Sequence, residues 1–433
     1  DMVDKVVLNS YIGLPIFFIV MYLVFLVAVK LSQPCIEIIN VYLGWLFVEQ
    51  FGKLLTLMSV PQWLIYFFSE ILGGGLVTIG SFIPPIFFIY ISLSILEDSG
   101  YMARAAFIAD KFMRKIGLPG KAFIPLIVGF GCTVPAIMAT RTLEKPRDRV
   151  FASILTPFIS CGAKLPVYTY LVMLFFPQRA DIVIFALYFL GIIMGILTGL
   201  LLKATIFKSA PGDFVMELPA YHIPTINGIF MHTWHRLKSF LLRAGKTILL
   251  VIVIINILQV IQIPVGNKNE KTPLLELGGK LITPVLQPMG IKNDNWPASV
   301  ALISGLFAKE AIVGTLQGLY QNSEDEGAIK HLTDNIKKGF GSNASVFAYL
   351  VFILLYSPCA AALTMLFKEH GFKWMLFDFG YLTVLAWMVA TLVYQILAFN
   401  ALSIFWFAVI GVIFIIIYIN LRSIGSRYAI RAK

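Results

Sequence analysis

Thr156-Pro-Phe-Ile-Ser-Cys-Gly-Ala-Lys-Leu165 lies inside an apolar run, residues 150–176, whose only charge is Lys164. A run of this length matches the roughly 20 apolar residues that cross a bilayer as a helix. Pro157 and Gly162 break the helical pattern, however, and Lys164 sets an ammonium group near the middle. A charge at that depth costs at least about 2.5–3.5 kcal/mol and therefore faces protein or a water-filled cavity. Much later in the chain, Leu354-Leu-Tyr-Ser-Pro-Cys-Ala-Ala-Ala-Leu363 repeats the pattern of a broken apolar segment with a cysteine at the break. Each follows a second interrupted apolar segment: 122–140, centred on Gly129-Phe-Gly-Cys-Thr-Val-Pro135, and 298–319, which carries the adjacent pair Lys309 and Glu310. Paired interrupted helices in two halves are the sequence pointer to a transporter's midplane site.

The composition agrees. Of 433 residues, 59% are hydrophobic and 13% charged, against about 45–50% and 25% in soluble domains. Nothing charged occurs between Lys5 and Lys30, Glu70 and Glu97, Lys121 and Arg141, Asp181 and Lys203, Lys246 and Lys268, Lys338 and Lys368, or Asp378 and Arg422. These gaps are too long for the alternating segments of an outer-membrane barrel. The expected fold is an all-α polytopic membrane protein with about eight spanning helices: 13–29, 76–96, 150–176, 182–202, 247–263, 346–367, 379–399 and 401–421. Segments 122–140 and 298–319 are expected as re-entrant broken helices. With both termini cytoplasmic, the inside loops hold more than twice the Lys and Arg of the outside loops, as the positive-inside rule requires. The first re-entrant segment then enters from inside and the second from outside, so the halves are inverted. Residues 1–208 form the first membrane half, 209–238 a cytoplasmic connector, and 239–433 the second half.

The net charge of +11 is accounted for by basic loops facing anionic lipid, and no nucleic-acid partner is expected. Four cysteines give no disulfide framework. Cys132, Cys161 and Cys359 sit at breaks, where a thiol with hydroxyl and carbonyl oxygens suits a borderline transition-metal cation better than Mg²⁺ or Ca²⁺. The alternative is that they are small hydrophobes. Lys164 follows Cys161 by one helical turn and is read as tuning the thiol, as a gate that repels cations, or as a partner of Glu310. Lys309 and Glu310 form a buried pair, or Glu310 is a cation ligand. All five histidines fall in expected loops, so a permanent histidine-lined pocket in the membrane is not expected; His232 and His235 have metal-compatible spacing on a solvated segment. Glu97 and Asp98 end a span where acids oppose the helix dipole. With Arg104 and the connector from Arg141 to Arg149 they are read as a docking surface for a cytoplasmic partner, or as a solvated boundary. Gly245-Lys-Thr247 is not a P-loop, because Phe240 stands where the first glycine belongs. The chain begins Asp-Met-Val-Asp-Lys, without a basic signal-peptide region, and reads as cut from something longer.

Five strings are specific: Glu97-Asp-Ser-Gly-Tyr-Met-Ala-Arg104, Gly129-Phe-Gly-Cys-Thr-Val-Pro-Ala-Ile-Met-Ala-Thr-Arg141, Pro157-Phe-Ile-Ser-Cys-Gly-Ala-Lys-Leu-Pro166, Lys309-Glu-Ala-Ile-Val-Gly-Thr315 and Ser357-Pro-Cys359. They closely resemble the membrane domain of the ferrous iron transport protein B (FeoB) family over effectively the whole chain. The resemblance implies a prokaryotic inner-membrane Fe²⁺ importer in which two "Gate" repeats surround the iron path. It places the motif cysteines at Cys132, Cys161 and Cys359; beside them Thr133, Ser160, Ser357 and Glu310 are read as oxygen donors and Lys164 and Lys309 as gating groups. Thr133 stands where the family more often has Asn. The family's GTP-binding and helical coupling domains are missing from this chain, so GTP and Mg²⁺ are expected to act only through such a domain or a separate G protein. Small accessory Feo proteins and a homo-oligomer are further expected partners. The rival class is a secondary transporter for an organic solute such as a nucleoside, which predicts Asn, Gln or Glu pairs at the breaks.

The topology is checked by accessibility labelling. A cysteine placed at Asn267 or Asn322 should react with an impermeant reagent added outside, and one at Thr142 or Ser209 should not. Labelling of Thr142 from outside would mean that 122–140 crosses completely.

Overall fold

The computed structural model describes residues 12–58, 60–208, 225–240, 242, 262–264, 271–320, 328–399 and 401–431. They form two compact units. One takes the described residues within 12–114, 119–124 and 225–242, the other those within 115–118, 125–208 and 262–431.

In the first unit, α1 (Gly13–Leu43) continues through a π-helical turn, Gly44–Gln50, into Phe51–Leu57. A second π-helical turn, Tyr66–Gly73, leads into α2 (Gly74–Asp98) and then α3 (Tyr101–Ile116). The two π turns pack on each other: Ser69 Oγ donates to Val48 O at 2.6 Å, and a Cβ on Gly73 would come within 2.6 Å of Phe47 O. α2 also packs along α1.

The second unit holds the interrupted helices. α4 (Phe123–Gly131) and α5 (Thr133–Ala139) are separated by one extended residue, Cys132. α6 (Pro146–Leu155) passes through two short 3₁₀ turns into α7 (Leu165–Phe175), and α8 (Ala180–Thr205) follows. After α9 (Ile226–Phe240), which packs on α2 in the first unit, the second unit resumes with a short hairpin of β1 (Gln262–Pro264) and β2 (Lys271–Pro273). Then come α10 (Leu274–Leu286), α11 (Trp296–Phe307), α12 (Ala311–Tyr320), α13 (Ala328–Phe340), α14 (Asn343–Leu355), α15 (Ala360–His370), α16 (Phe372–Leu397) and α17 (Ala401–Arg431). Prolines mark the restarts. Pro135, Pro166 and Pro297 each lie in the first turn of a helix, where their missing N–H costs nothing.

Six helices among the described residues are long and apolar enough to span: Lys30–Leu57, Pro146–Phe175, Pro177–Thr205, Asn343–His370, Phe372–Leu397 and Ser403–Gly425. The expected span 13–29 lies within α1, which continues past Lys30 and Pro34. The span 76–96 falls inside α2. The span 247–263 lies outside the described residues except for its end, where Ile263 is in a strand.

α14 is apolar on every side, and Val346 and residues 348–355 are all buried, as expected of a helix at the centre of a membrane bundle. Ser342 caps it by accepting from Ser345 N at 3.1 Å. α8 instead turns Ile182, Phe185, Phe189 and Leu197 outward, a face that lipid would cover. Its other face carries Gly191, Gly195 and Gly199 at four-residue spacing, the small-residue stripe that lets membrane helices approach closely. At Gly191 a Cβ would lie 2.7 Å from Phe158 O and 3.2 Å from a Leu354 methyl.

Gly191→Ala should therefore push α8 off the backbone at the second break and lower stability by about 1–3 kcal/mol. Thermal unfolding of the detergent-solubilised protein measures this, and an unchanged midpoint would mean that α8 does not press on the break.

Candidate functional site: four helix breaks in one unit

Four apolar segments of the second unit break in the same manner. An extended residue stops one helix, and the residue before the next helical turn is Cys132, Cys161, Glu310 or Cys359. Cys132 (φ −155°, ψ 135°) caps α5. Cys161 (φ −78°, ψ 162°) caps the turn Gly162–Lys164, and Cys359 (φ −63°, ψ 159°) caps α15. After Ala308 (φ −143°, ψ 121°) ends α11, Glu310 immediately precedes α12. The N-terminal end of a helix favours an anionic side chain, so all four positions suit an acidic group.

The breaks lie against one another. A Cβ on Gly129 would be 3.4 Å from Thr156 O, and one on Gly162 would be 3.6 Å from Gly131 O. Cys132 is within electrostatic reach of Cys161, Cys359 and Glu310. Each of the three cysteines is half-buried. Among the described residues, no three His, Cys, Asp or Glu side chains converge tightly enough to hold a metal ion.

Breaking a helix frees carbonyls that must find donors where no water is present, and the two buried lysines supply them. Lys164, 3% exposed, donates from Nζ to Pro157 O at 3.2 Å and to Leu354 O at 2.7 Å. One ammonium thereby joins the second break to the end of α14. Lys309, 2% exposed, donates to Ser357 O at 2.8 Å and lies 3.1 Å from the centroid of the Tyr356 ring, a cation–π contact. The expected pairing with Glu310 is not found. Both lysines turn to backbone carbonyls, and Glu310 Oε1 is buried with no hydrogen-bond partner among the described residues.

Comparison with known proteins bears on these same segments. The family model for the Gate domain, described as nucleoside recognition, matches residues 79–175 and 241–373. The model for the ferrous iron transport protein B C terminus matches residues 184–236. The Fe(2+) transporters FeoB of Shigella flexneri, Salmonella typhi and Escherichia coli (strain K12) are each 39% identical to this chain over a 447-residue alignment covering 92% of it. The chain belongs to the FeoB family. It corresponds to the C-terminal membrane part of FeoB and spans 58% of the length of these relatives. No solved structure matches it.

The remaining residues expected at the FeoB site divide. Ser160 is buried with its hydroxyl 3.4 Å from Tyr168 Oη. Ser357 is fully buried, its hydroxyl donating to Pro358 O at 3.3 Å while its carbonyl accepts from Lys309. Thr133 is buried beside Cys132. Glu97, Asp98 and Arg104 belong to the other unit; Arg104 is buried and donates to Gly100 O at 3.0 Å. Arg141 is engaged with Glu369: Nε donates to Oε2 at 2.8 Å, and Nη2 donates to Oε1. That carboxylate holds the guanidinium above its ordinary range. The histidines are not all in loops. His232 and His235 lie on α9, His331 on α13 and His370 in the last turn of α15, because these polar helices carry no membrane-length apolar signal. The glycine stripe of α8 and the acceptors of the two lysines were missed in the sequence. The stripe was legible in its Gly-x-x-x-Gly spacing, whereas a carbonyl acceptor has no side-chain signature.

Lys164→Met keeps the length of the side chain and orphans two buried carbonyls. The cost should be roughly 1–3 kcal/mol per acceptor, read as a fall in the thermal midpoint in detergent. An unchanged midpoint would mean that the ammonium does not hold the breaks together.

Proposed function

We propose that this chain is the permease part of a prokaryotic Fe²⁺ importer of the inner membrane, moving ferrous iron along Cys132, Cys161 and Cys359 between two inverted Gate repeats. Glu310, Thr133, Ser160 and Ser357 contribute oxygen donors along the path. In this reading both termini are cytoplasmic and residues 209–238 connect the halves 1–208 and 239–433. GTP acts through a G domain or separate G protein docking at Glu97 and Asp98, since Arg104 is buried on Gly100 O and Arg141 is held by Glu369, with accessory Feo proteins and self-association as further interactions.

One observation carries the reading: the residue before the first helical turn after each break is a thiol at Cys132, Cys161 and Cys359 and a carboxyl at Glu310, with the 3₁₀ turn Gly162–Lys164 standing between Cys161 and α7. A positive helix end repels a cation unless an anion stands between them, and a thiolate or carboxylate there supplies both the charge and a ligand. Thiolate with oxygen donors suits a divalent transition metal. Lys164 and Lys309 engage the carbonyls of Pro157, Leu354 and Ser357, which leaves the side chains at the breaks as the acidic ligands for a passing cation. A nucleoside path would call for Asn, Gln or Glu pairs at the breaks, whereas three of the four positions are cysteines and Glu310 stands alone.

The test is Fe²⁺ flux into proteoliposomes, with Zn²⁺, Mn²⁺ and a nucleoside as competitors. Cys132→Ser, Cys161→Ser and Cys359→Ser keep size but remove the soft donor, and each should slow flux by about tenfold, the scale on which metal sites respond to lost ligand support. Cys35→Ser, on α1, should transport at the parent rate. Equal rates in all four variants would make the cysteines packing residues and sink the proposed path.

A further inference from the structure

α5 and α15, the two half-helices that start at Cys132 and Cys359, pack against each other. Their beginnings adjoin, since the two thiols are in electrostatic reach. Their far ends adjoin as well, because Arg141, just past Ala139, pairs through two hydrogen bonds with Glu369 in the last turn of α15. Neighbours that meet at both ends run in the same direction, so the pair sits about 15 Å from the thiols, the length of ten helical residues.

A second, buried connection lies beside the ion pair. Thr140 Oγ1 is 3.2 Å from Ser153 Oγ, and Ser153 Oγ is 2.7 Å from His370 Nε2. Thr140 and Ser153 are wholly buried. The end of α5, the middle of α6 and the end of α15 are thus joined by one polar chain. Glu369 is the informative residue. A carboxylate in the last turn of a helix opposes the dipole, whereas its neighbours Lys368 and His370 suit it. Its placement is explained by Arg141, 228 residues away in sequence and in the other half of the chain.

We propose that Arg141 and Glu369, backed by the Thr140–Ser153–His370 chain, are positioning residues that hold α5 and α15 at a fixed spacing and so set the separation of Cys132 and Cys359. The role of this spacing in transport rests on the reading of the cysteines as the iron path. The spacing itself does not.

The full chain in native membranes, carrying Cys35→Ser and Cys161→Ser, is treated with a short bifunctional thiol reagent, and the rate of cross-linking Cys132 to Cys359 is measured. Arg141→Gln and Glu369→Gln should each slow cross-linking about threefold, the range of a partly exposed ion pair. The exchange Arg141→Glu with Glu369→Arg should restore the rate. Unchanged rates in both single variants overturn the proposal. So does failure of the exchange variant to recover while it remains monodisperse in detergent, and that comparison decides the matter should a single variant fold poorly. With the native cysteines in place, the single variants should raise the half-saturating Fe²⁺ concentration severalfold and leave the maximal flux near the parent value. Slowed cross-linking with unaltered flux parameters would leave the positioning role standing and remove the cysteines from the iron path.

Discussion

An apolar helix interrupted within a membrane protein leaves carbonyl groups that no solvent can satisfy, and in this chain Lys164 and Lys309 satisfy them. Each ammonium is buried and spent on backbone oxygen: Pro157 and Leu354 for the first, Ser357 for the second. An unpaired buried charge would be prohibitive. Here the partial negative charge of freed carbonyls, together with the Tyr356 ring beneath Lys309, takes the place of a carboxylate. The two costs offset each other, since orphan acceptors and orphan donors are brought to the same point. The breaks thereby become junctions, because Lys164 ties the second to the fourth and Lys309 ties the third to the fourth.

Lysine fits this task better than arginine. Its ammonium is a compact charge on a flexible stem with three donors that can be aimed separately, and carbonyls at helix breaks do not present the paired oxygens that a guanidinium fork needs. Arginine occurs where such oxygens exist, as in the contact of Arg141 with both oxygens of Glu369. Packing then closes around the junctions. α14 is buried on all sides, and α8 comes in over the second break through glycine, so that Phe158 O and the Leu354 side chain meet its backbone.

The sequence made the broken helices legible because glycine, proline and charge are rare enough in apolar runs to mark a position singly. Cys132, Cys161, Ala308 to Glu310 and the Ser357–Cys359 stretch are where helices stop. The long spans of the second half were legible in the charge-free gaps for the same reason. What could not be read is what depends on a distant partner. Lys164 and Glu310 look like an ion pair in a list of membrane charges, but the acceptors that win are backbone oxygens common to every residue, and nothing in the side-chain pattern distinguishes Leu354 O from its neighbours. The first helix runs on past Lys30 to Leu43, since a single lysine near the end of an apolar stretch can extend its stem toward the interface. His370 looked like a loop residue because the polar end of α15 carries no apolar period, yet it hydrogen-bonds to Ser153.

The electrostatics of the cluster lead one step further. Two ammonium groups lie among three thiols and one carboxyl with no ion pair formed to Glu310, and Glu310 Oε1 lacks a hydrogen-bond partner among the described residues. The two lysines are thus committed to backbone carbonyls, while the thiols and the Glu310 carboxyl are not tied to them. Admitting a divalent cation beside two ammonium groups is strongly unfavourable at low dielectric unless acidic protons leave as the cation arrives, which is the general behaviour of thiol ligands. An organic solute without charge would gain nothing from such an arrangement. The placement of the lysines thus bears on selectivity as much as on stability. On the proposed path, the lysines engage backbone oxygens at the breaks and leave thiols, a carboxyl and hydroxyls as the ligands, a set that favours an ion that binds thiolate.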